Sequence, residues 1–126
     1  MYHGIIQLMT FKVINNPDFK KNKDPQGAGF KNHEFKQLSG LFHYGASHKV
    51  LYDIAVDVDF DESKAIFTYY RSKMYQPYLQ FVVAHVGPRT VMYELYKEGQ
   101  GRIAKSGLFT RILDKLREEI DILIDA

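Results

Sequence analysis

The chain has 126 residues, of which 45% are hydrophobic and 14% aromatic, and its formal net charge is +2. This size and apolar content suffice for one hydrophobic core without disulfides or a structural metal, so we expect a single domain over residues 1–126. The absence of cysteine excludes disulfide frameworks, thiolate zinc sites and cysteine nucleophiles. Since 17 Lys and Arg nearly balance 15 Asp and Glu, total charge does not indicate a polyanionic partner.

Two further exclusions concern the membrane. The sequence contains no run of eighteen apolar residues. The N-terminus lacks the basic region, apolar stretch and small-residue cleavage site of a signal peptide. We therefore expect a cytoplasmic protein that does not associate with a membrane.

The N-terminal third gives the weakest pattern. Residues 2–14 have β-branched and aromatic content that could pair with a sheet. Residues 15–30 are rich in Asn, Lys, Asp, Pro and Gly, which predicts a long polar loop. Residues 31–44 fit either a short helix or a strand broken at Gly40, and the pattern does not separate these two structures.

Four segments between Val50 and Lys97 alternate apolar and polar residues with a period of two, which predicts antiparallel strands with one buried face. The clearest is residues 52–60, where the expected core side chains are Tyr52, Ile54, Val56, Val58 and Phe60. Asp53, Asp57 and Asp59 then fall on the solvent face. The next strands are predicted at residues 65–71, 78–86 and 89–97. Their short connections leave no room for crossover helices, so the strands form a β-meander over residues 50–97.

Residues 106–125 switch to helical spacing. The apolar stripe consists of Leu108, Phe109, Ile112, Leu113, Leu116, Ile120, Leu123 and Ile124. Ser106 is the expected N-cap, and the opposite face carries mixed charges typical of a solvated surface, Glu119 among them. The predicted fold class is α+β: an antiparallel β-meander of four to six strands with this C-terminal amphipathic helix packed on one face.

The segment from Gly99 to Ser106 approaches the spacing of a phosphate-binding loop. Ala104 replaces the glycine before Lys105, and an antiparallel sheet is the wrong setting for that motif, so a nucleotide hydrolase is not favoured. We expect a flexible turn that leads into the helix. An alternative is that exposed amides at the helix N-terminus, with Arg102 and Lys105 nearby, hold an anion.

Other candidate sites are weaker. Asp57, Asp59 and Asp61 alternate as calcium ligands would, but Glu62 stands where an EF-hand needs glycine, so a solvated acidic face is expected. The histidines His33, His43 and His48 lie in an unassigned segment, and spacing alone does not show that ligands converge. For acid and base chemistry the only candidates are His85 and Glu94, which interrupt apolar strands. We assign no catalytic residue, metal or cofactor and expect no enzymatic activity.

The most specific functional pattern is the interleaving of tyrosines with cations around residues 69–78. Bases stack on aromatic rings while cations neutralise phosphates, so this pattern predicts a surface for single-stranded nucleic acid. Further cations follow along the strand ends and on the approach to the helix. The candidate binding residues are Tyr69, Arg71, Lys73, Tyr75, Tyr78, Arg89, Arg102 and Lys105.

The expected function is therefore that of a non-enzymatic binding protein for single-stranded nucleic acid. Four strands followed by a helix is also the outline of nucleic-acid-binding domains of the transcriptional-coactivator type, a similarity of fold outline alone. Two alternatives stay open. One is a small protein-interaction module, a regulator or inhibitor of a protein partner, and the other is a helix-grip pocket for a small ligand or anion. A homodimer is the expected assembly, since two-fold dimers dominate among soluble oligomers.

Overall fold

The structure, a computed structural model, describes residues 29–72 and 76–126. The described elements are helix α1 (Asn32–Ser47), strands β1 (Asp53–Asp59), β2 (Lys64–Tyr70), β3 (Pro77–His85), β4 (Val91–Lys97) and β5 (Gly101–Ser106), and helix α2 (Phe109–Asp125). The strand predicted as an option within residues 2–14 and nearly all of the loop predicted at residues 15–30 lie outside these ranges.

The described strands form one antiparallel sheet in the order β1-β2-β3-β4-β5. This arrangement, with a helix after the last strand, confirms the predicted α+β meander. The meander extends further than predicted, because the turn expected after residue 97 is followed by a fifth strand. Alternation fails to indicate β5 because a bulge opposite Leu95 and Tyr96 shifts its register and breaks the period of two.

The core lies between the sheet and both described helices. Facing the helices, which we term the inner face, are Ile54, Val56, Ala65, Phe67, Tyr69, Leu79, Phe81, Val83, Tyr93 and Leu95, all buried. Helix α1 reaches this face where the Tyr69 hydroxyl donates to the Leu38 carbonyl oxygen at 2.7 Å. Helix α2 reaches it through Phe109, whose ring centroid lies 5.5 Å from those of Phe81 and Tyr93.

Residues 32–47 form a helix rather than the alternative broken strand. Leu38, Phe42 and Gly45 are buried at helical spacing, so one stripe of α1 contacts the core. The N-terminus is fixed because the Glu34 carboxylate accepts the Lys31 backbone N–H at 2.9 Å. Gly40 is exposed on the opposite side and does not interrupt the helix.

Helix α2 buries Phe109, Ile112, Leu116 and Ile120, as its apolar spacing predicted. Its expected N-cap was wrong. Leu108 occupies that position and is 58% exposed, whereas Ser106 ends β5. The Ser106 hydroxyl oxygen still accepts a hydrogen bond from the Leu108 N–H at 3.0 Å. This contact closes a turn that starts two residues before the N-cap position, and it does not cap the helix.

Strand β1 departs from its predicted pattern at both ends. Asp53, expected in solvent, is only 4% exposed because it lies opposite Tyr70 in the register of β2. Its carboxylate accepts the Ile54 backbone N–H at 2.8 Å, and burial raises the pKa of Asp53. Phe60, expected in the core, follows the end of the strand and is 46% exposed. Asp57 and Asp59 are exposed as predicted.

Neither described helix has the length and apolar composition needed to cross a membrane.

Candidate functional site

The predicted binding residues do not share one surface. Tyr69 is fully buried, and its hydroxyl bonds within the core, so its assignment to an accessible binding surface was wrong. Alternation placed several tyrosines on β2 and β3 but did not indicate which face each occupies. Lys73 and Tyr75 lie outside the described residues.

Arg71 and Tyr78 meet at one end of the sheet, where β2 leads towards β3. The Arg71 guanidinium carbon lies 5.1 Å from the centroid of the Tyr78 ring, which is cation–π geometry. Beside this pair is an open cleft of about 350 Å³, whose wall is completed by Ser72, Gln76 and Glu98. The backbone supports the cleft, because the Glu98 N–H donates to the Tyr78 carbonyl oxygen at 2.9 Å.

The cleft combines groups suited to a nucleotide. Arg71 is exposed, and within the described ranges it forms no ion pair with a carboxylate. Ser72, Gln76 and Glu98 carry hydrogen-bonding groups that could contact base or sugar edges. Tyr78 is half-buried and packs against the core, which fixes the ring under the guanidinium.

A second cation beside the cleft is already paired. Lys97 Nζ lies 2.8 Å from Glu119 Oε1 on α2, and Glu119 is 6% exposed. This hydrogen bond raises the pKa of Lys97, partial burial opposes the rise, and the neighbouring Tyr78 adds to it. Glu119 was predicted on the solvated helix face. Its burial is tolerated because Lys97 and Lys115 both reach it.

The remaining predicted cations lie elsewhere. Arg89 is exposed in the β3–β4 turn, at the opposite end of a nine-residue strand, which is roughly 25–30 Å from Arg71 at about 3.3 Å per residue. Arg102 and Lys105 lie on β5 and belong to the sheet face opposite the helices, which we term the outer face. There Arg102 forms an ion pair with Glu94 at 3.6 Å.

The segment that approaches a phosphate-binding loop is a hairpin turn and a strand. Gly99 and Gly101 adopt φ values of 80° and 75°, which a tight turn between β4 and β5 requires. Gln100 N–H closes this turn on the Lys97 carbonyl oxygen at 2.9 Å. Arg102, Ala104, Lys105 and Ser106 are then paired with β4, so this segment does not form a loop that encircles a phosphate.

The histidine and carboxylate candidates do not converge. His33 and His43 are exposed on α1, and His48 follows its last turn. Within the described ranges no group of three His, Asp or Glu side chains is placed to hold a metal ion. His85 alternates in phase with the inner-face residues of β3, whereas Glu94 lies on the outer face of β4. The two side chains are therefore on opposite sides of the sheet and do not form one acid–base site.

Sequence reasoning missed Ser72, Gln76 and Glu98. They stand in connections, where neither periodicity nor a motif marks a residue. Strand order could have indicated them. In a meander the β2–β3 connection and the β4–β5 turn lie at the same end of the sheet, so their residues are close in space.

Comparisons with known proteins give no match. No protein-family model matches the chain. Searches of curated proteins and of solved structures likewise find no significant relative.

Proposed function

We propose that this chain is a non-enzymatic binding protein that holds single-stranded nucleic acid at the Arg71–Tyr78 cleft. The observation that supports this proposal is the exposed Arg71 guanidinium, whose carbon lies 5.1 Å from the centroid of the Tyr78 ring at the edge of an open cleft. A base can stack on the guanidinium plane or on the ring, while the same cation neutralises an adjacent phosphate.

The binding surface that we propose is smaller than the surface predicted from the sequence. Arg71 and Tyr78 form its centre, while Arg89 is too distant to contact the same short segment. A cleft of about 350 Å³ suits one or two nucleotides rather than a long tract. We therefore expect weak affinity, little sequence preference and a small salt dependence.

The helix-grip alternative has less support in the described ranges. The space between α2 and strands β3 and β4 is occupied by the packed rings of Phe81, Tyr93 and Phe109. A ligand there would have to displace buried aromatic side chains.

The test is fluorescence anisotropy of a labelled oligothymidine titrated with the parent chain, Arg71→Ala and Arg89→Ala. Both variants remove one exposed arginine, so a general loss of positive charge affects them equally. If Arg71 contacts a phosphate, only Arg71→Ala should lower the slope of log affinity against log salt, by about 0.7.

The ring is tested separately with Tyr78→Leu and Tyr78→Phe. Loss of stacking should weaken binding by about 1–3 kcal/mol in the leucine variant, whereas phenylalanine retains the stacking surface. Circular dichroism establishes that each variant is folded. Absence of binding by the folded parent at low salt, or equal losses for Arg71→Ala and Arg89→Ala, would overturn the proposal.

A further inference from the structure

The Arg71–Tyr78 cleft carries charges of both signs. Arg71 and Glu98 line it together, and both residues are exposed. Both belong to the part of the chain that the structure describes, and they form no ion pair with each other. The cation and the carboxylate therefore occupy separate places on the wall. A site for phosphate alone would gain nothing from the carboxylate, because like charges repel.

The backbone holds Glu98 at the cleft from both sides. Its N–H donates to the Tyr78 carbonyl oxygen at 2.9 Å, and in the turn that follows, the Gln100 N–H donates to the Lys97 carbonyl oxygen at 2.9 Å. The side chains of these neighbours diverge, since Lys97 reaches Glu119 on α2 at 2.8 Å whereas Glu98 lines the cleft. The carboxylate of Glu98 thus belongs to the same wall as the Tyr78 ring.

A carboxylate at this position distinguishes between bases. When ionised it only accepts hydrogen bonds, through two oxygens. On the edge that pairs in a duplex, guanine presents two adjacent donors, N1–H and the N2 amino group. Thymine presents one donor between two carbonyl oxygens, and adenine and cytosine each present an amino group beside an unprotonated ring nitrogen. Guanine is therefore the base whose pairing edge both carboxylate oxygens can bond at once.

The other polar groups of the wall do not distinguish bases in this way. The Gln76 amide has both donor and acceptor groups, and the Ser72 hydroxyl can donate or accept. Each can therefore contact any base edge, and Glu98 is the group on which a preference depends.

We propose that the cleft prefers guanine, with the base stacked at the Arg71–Tyr78 pair and its N1–H and N2 amino group donating to the Glu98 carboxylate. This inference rests on the proposed function and deepens it by naming the preferred base. Arg71 contacts the phosphate, away from the carboxylate that would repel it. The preference concerns the one nucleotide whose base reaches Glu98, so the rest of a bound strand is still held with little dependence on sequence.

The experiment compares short labelled oligothymidines in which the central nucleotide is thymidine, deoxyguanosine, deoxyinosine or deoxycytidine. In fluorescence anisotropy the parent chain should bind the strand with guanine about tenfold more tightly than plain oligothymidine, as a bidentate contact to one base allows. Inosine keeps N1–H but lacks the N2 amino group, so it should lose most of this gain.

Glu98→Gln tests the carboxylate, because it keeps the size of the side chain but replaces one acceptor oxygen with a donor. The preference for guanine should fall to about twofold or less, while binding of plain oligothymidine stays the same or becomes tighter. Glu62→Gln is the matched control, since it neutralises an exposed glutamate in the β1–β2 turn at the other end of the sheet. It should keep the preference of the parent. Circular dichroism establishes that both variants are folded.

The results distinguish the guanine preference from the proposed function. Equal binding of the guanine and thymine strands, or a guanine preference that persists in Glu98→Gln, overturns this inference while oligothymidine binding that depends on Arg71 leaves the proposed function standing. Absence of binding to every strand at low salt overturns both.

Discussion

At the scale of single residues, the Glu34–Tyr93 pair is a buried polar contact inside an aromatic core. Glu34 is 2% exposed, and its carboxylate accepts a hydrogen bond from the Tyr93 hydroxyl, with 2.6 Å between the two oxygens. Burial and this carboxylate raise the pKa of Tyr93 above 10.0. Tyr93 therefore contributes stability that is present below pH 10 and lost as pH rises through its folded-state pKa.

Tyr93→Phe should lower the free energy of unfolding by about 1–3 kcal/mol, because it removes a donor from a buried carboxylate. Tyr96→Phe is the matched control, since the Tyr96 hydroxyl also bonds a glutamate but on the partly exposed outer face. There water can replace the donor, and we expect a loss below about 1 kcal/mol. Urea denaturation at pH 7 measures both, and equal losses would contradict the interpretation.

Asp53 gives a second pH-dependent prediction, in which the substitution stabilises the protein instead of destabilising it. Burial raises its pKa above 3.8, so the folded state disfavours the charged carboxylate. Its contribution is greatest below that value and declines as pH rises through the folded-state pKa. Asp53→Asn keeps an oxygen for the Ile54 N–H and should raise the free energy of unfolding at pH 7. Asp57→Asn, at an exposed position of the same strand, should leave it within about 0.5 kcal/mol. Chemical denaturation of the parent and both variants between pH 4 and pH 7 measures these free energies of unfolding. An Asp53→Asn variant less stable than the parent at pH 7 would contradict the prediction.

At the scale of elements, helix α1 contains two glycines that differ in the space available for a side chain. A Cβ at Gly45 would lie 2.5 Å from Leu51 Cδ1 and 2.7 Å from Leu51 Cγ, whereas a Cβ at Gly40 meets open space. Gly45→Ala should therefore destabilise the protein by about 1–3 kcal/mol through overpacking. Gly40→Ala should stabilise it by about 0.5–1 kcal/mol, because alanine loses less entropy in a helix. Thermal denaturation of the two variants should show shifts of opposite sign.

Helix α2 offers a similar comparison between its two sides. Leu116 is fully buried against the core, and Ile122 is 56% exposed. Leu116→Ala should cost about 2–5 kcal/mol through lost burial and a cavity. Ile122→Ala should change the free energy of unfolding by less than about 0.5 kcal/mol. Similar denaturant midpoints for both variants would mean that α2 does not dock on the sheet.

At the scale of the whole molecule, one buried cluster joins α1, the strands and α2. We therefore propose a single cooperative domain and expect far-UV circular dichroism and near-UV tyrosine signals to unfold in one coincident transition. Two separated transitions would show that the helices and the sheet unfold independently.

The sequence predicted what depends on local periodicity. The meander and the buried stripe of α2 follow from alternation and helical spacing, because each face contacts either core or solvent. It did not predict β5, whose bulge disrupts alternation, nor the burial of Asp53 and Glu119, which depends on partners distant in sequence. The candidate site was only partly predictable. The sequence indicated tyrosines and cations, but it did not indicate that Tyr69 faces the core or that Arg89 lies at the end of the sheet opposite Arg71.

The sequential order of the strands also constrains the order of folding events. Each of the five described strands pairs with its neighbour in the chain, so this sheet can grow by hairpins that close short loops, each on a microsecond timescale of about 1–10 μs. Contacts between the helices are far more distant in sequence: Tyr44 and Asp121, joined by a hydrogen bond, are 77 residues apart. Closing such a loop has a larger entropic cost. We therefore expect α1 and α2 to meet after the hairpins form, so substitutions at their contact should accelerate unfolding more than they slow folding.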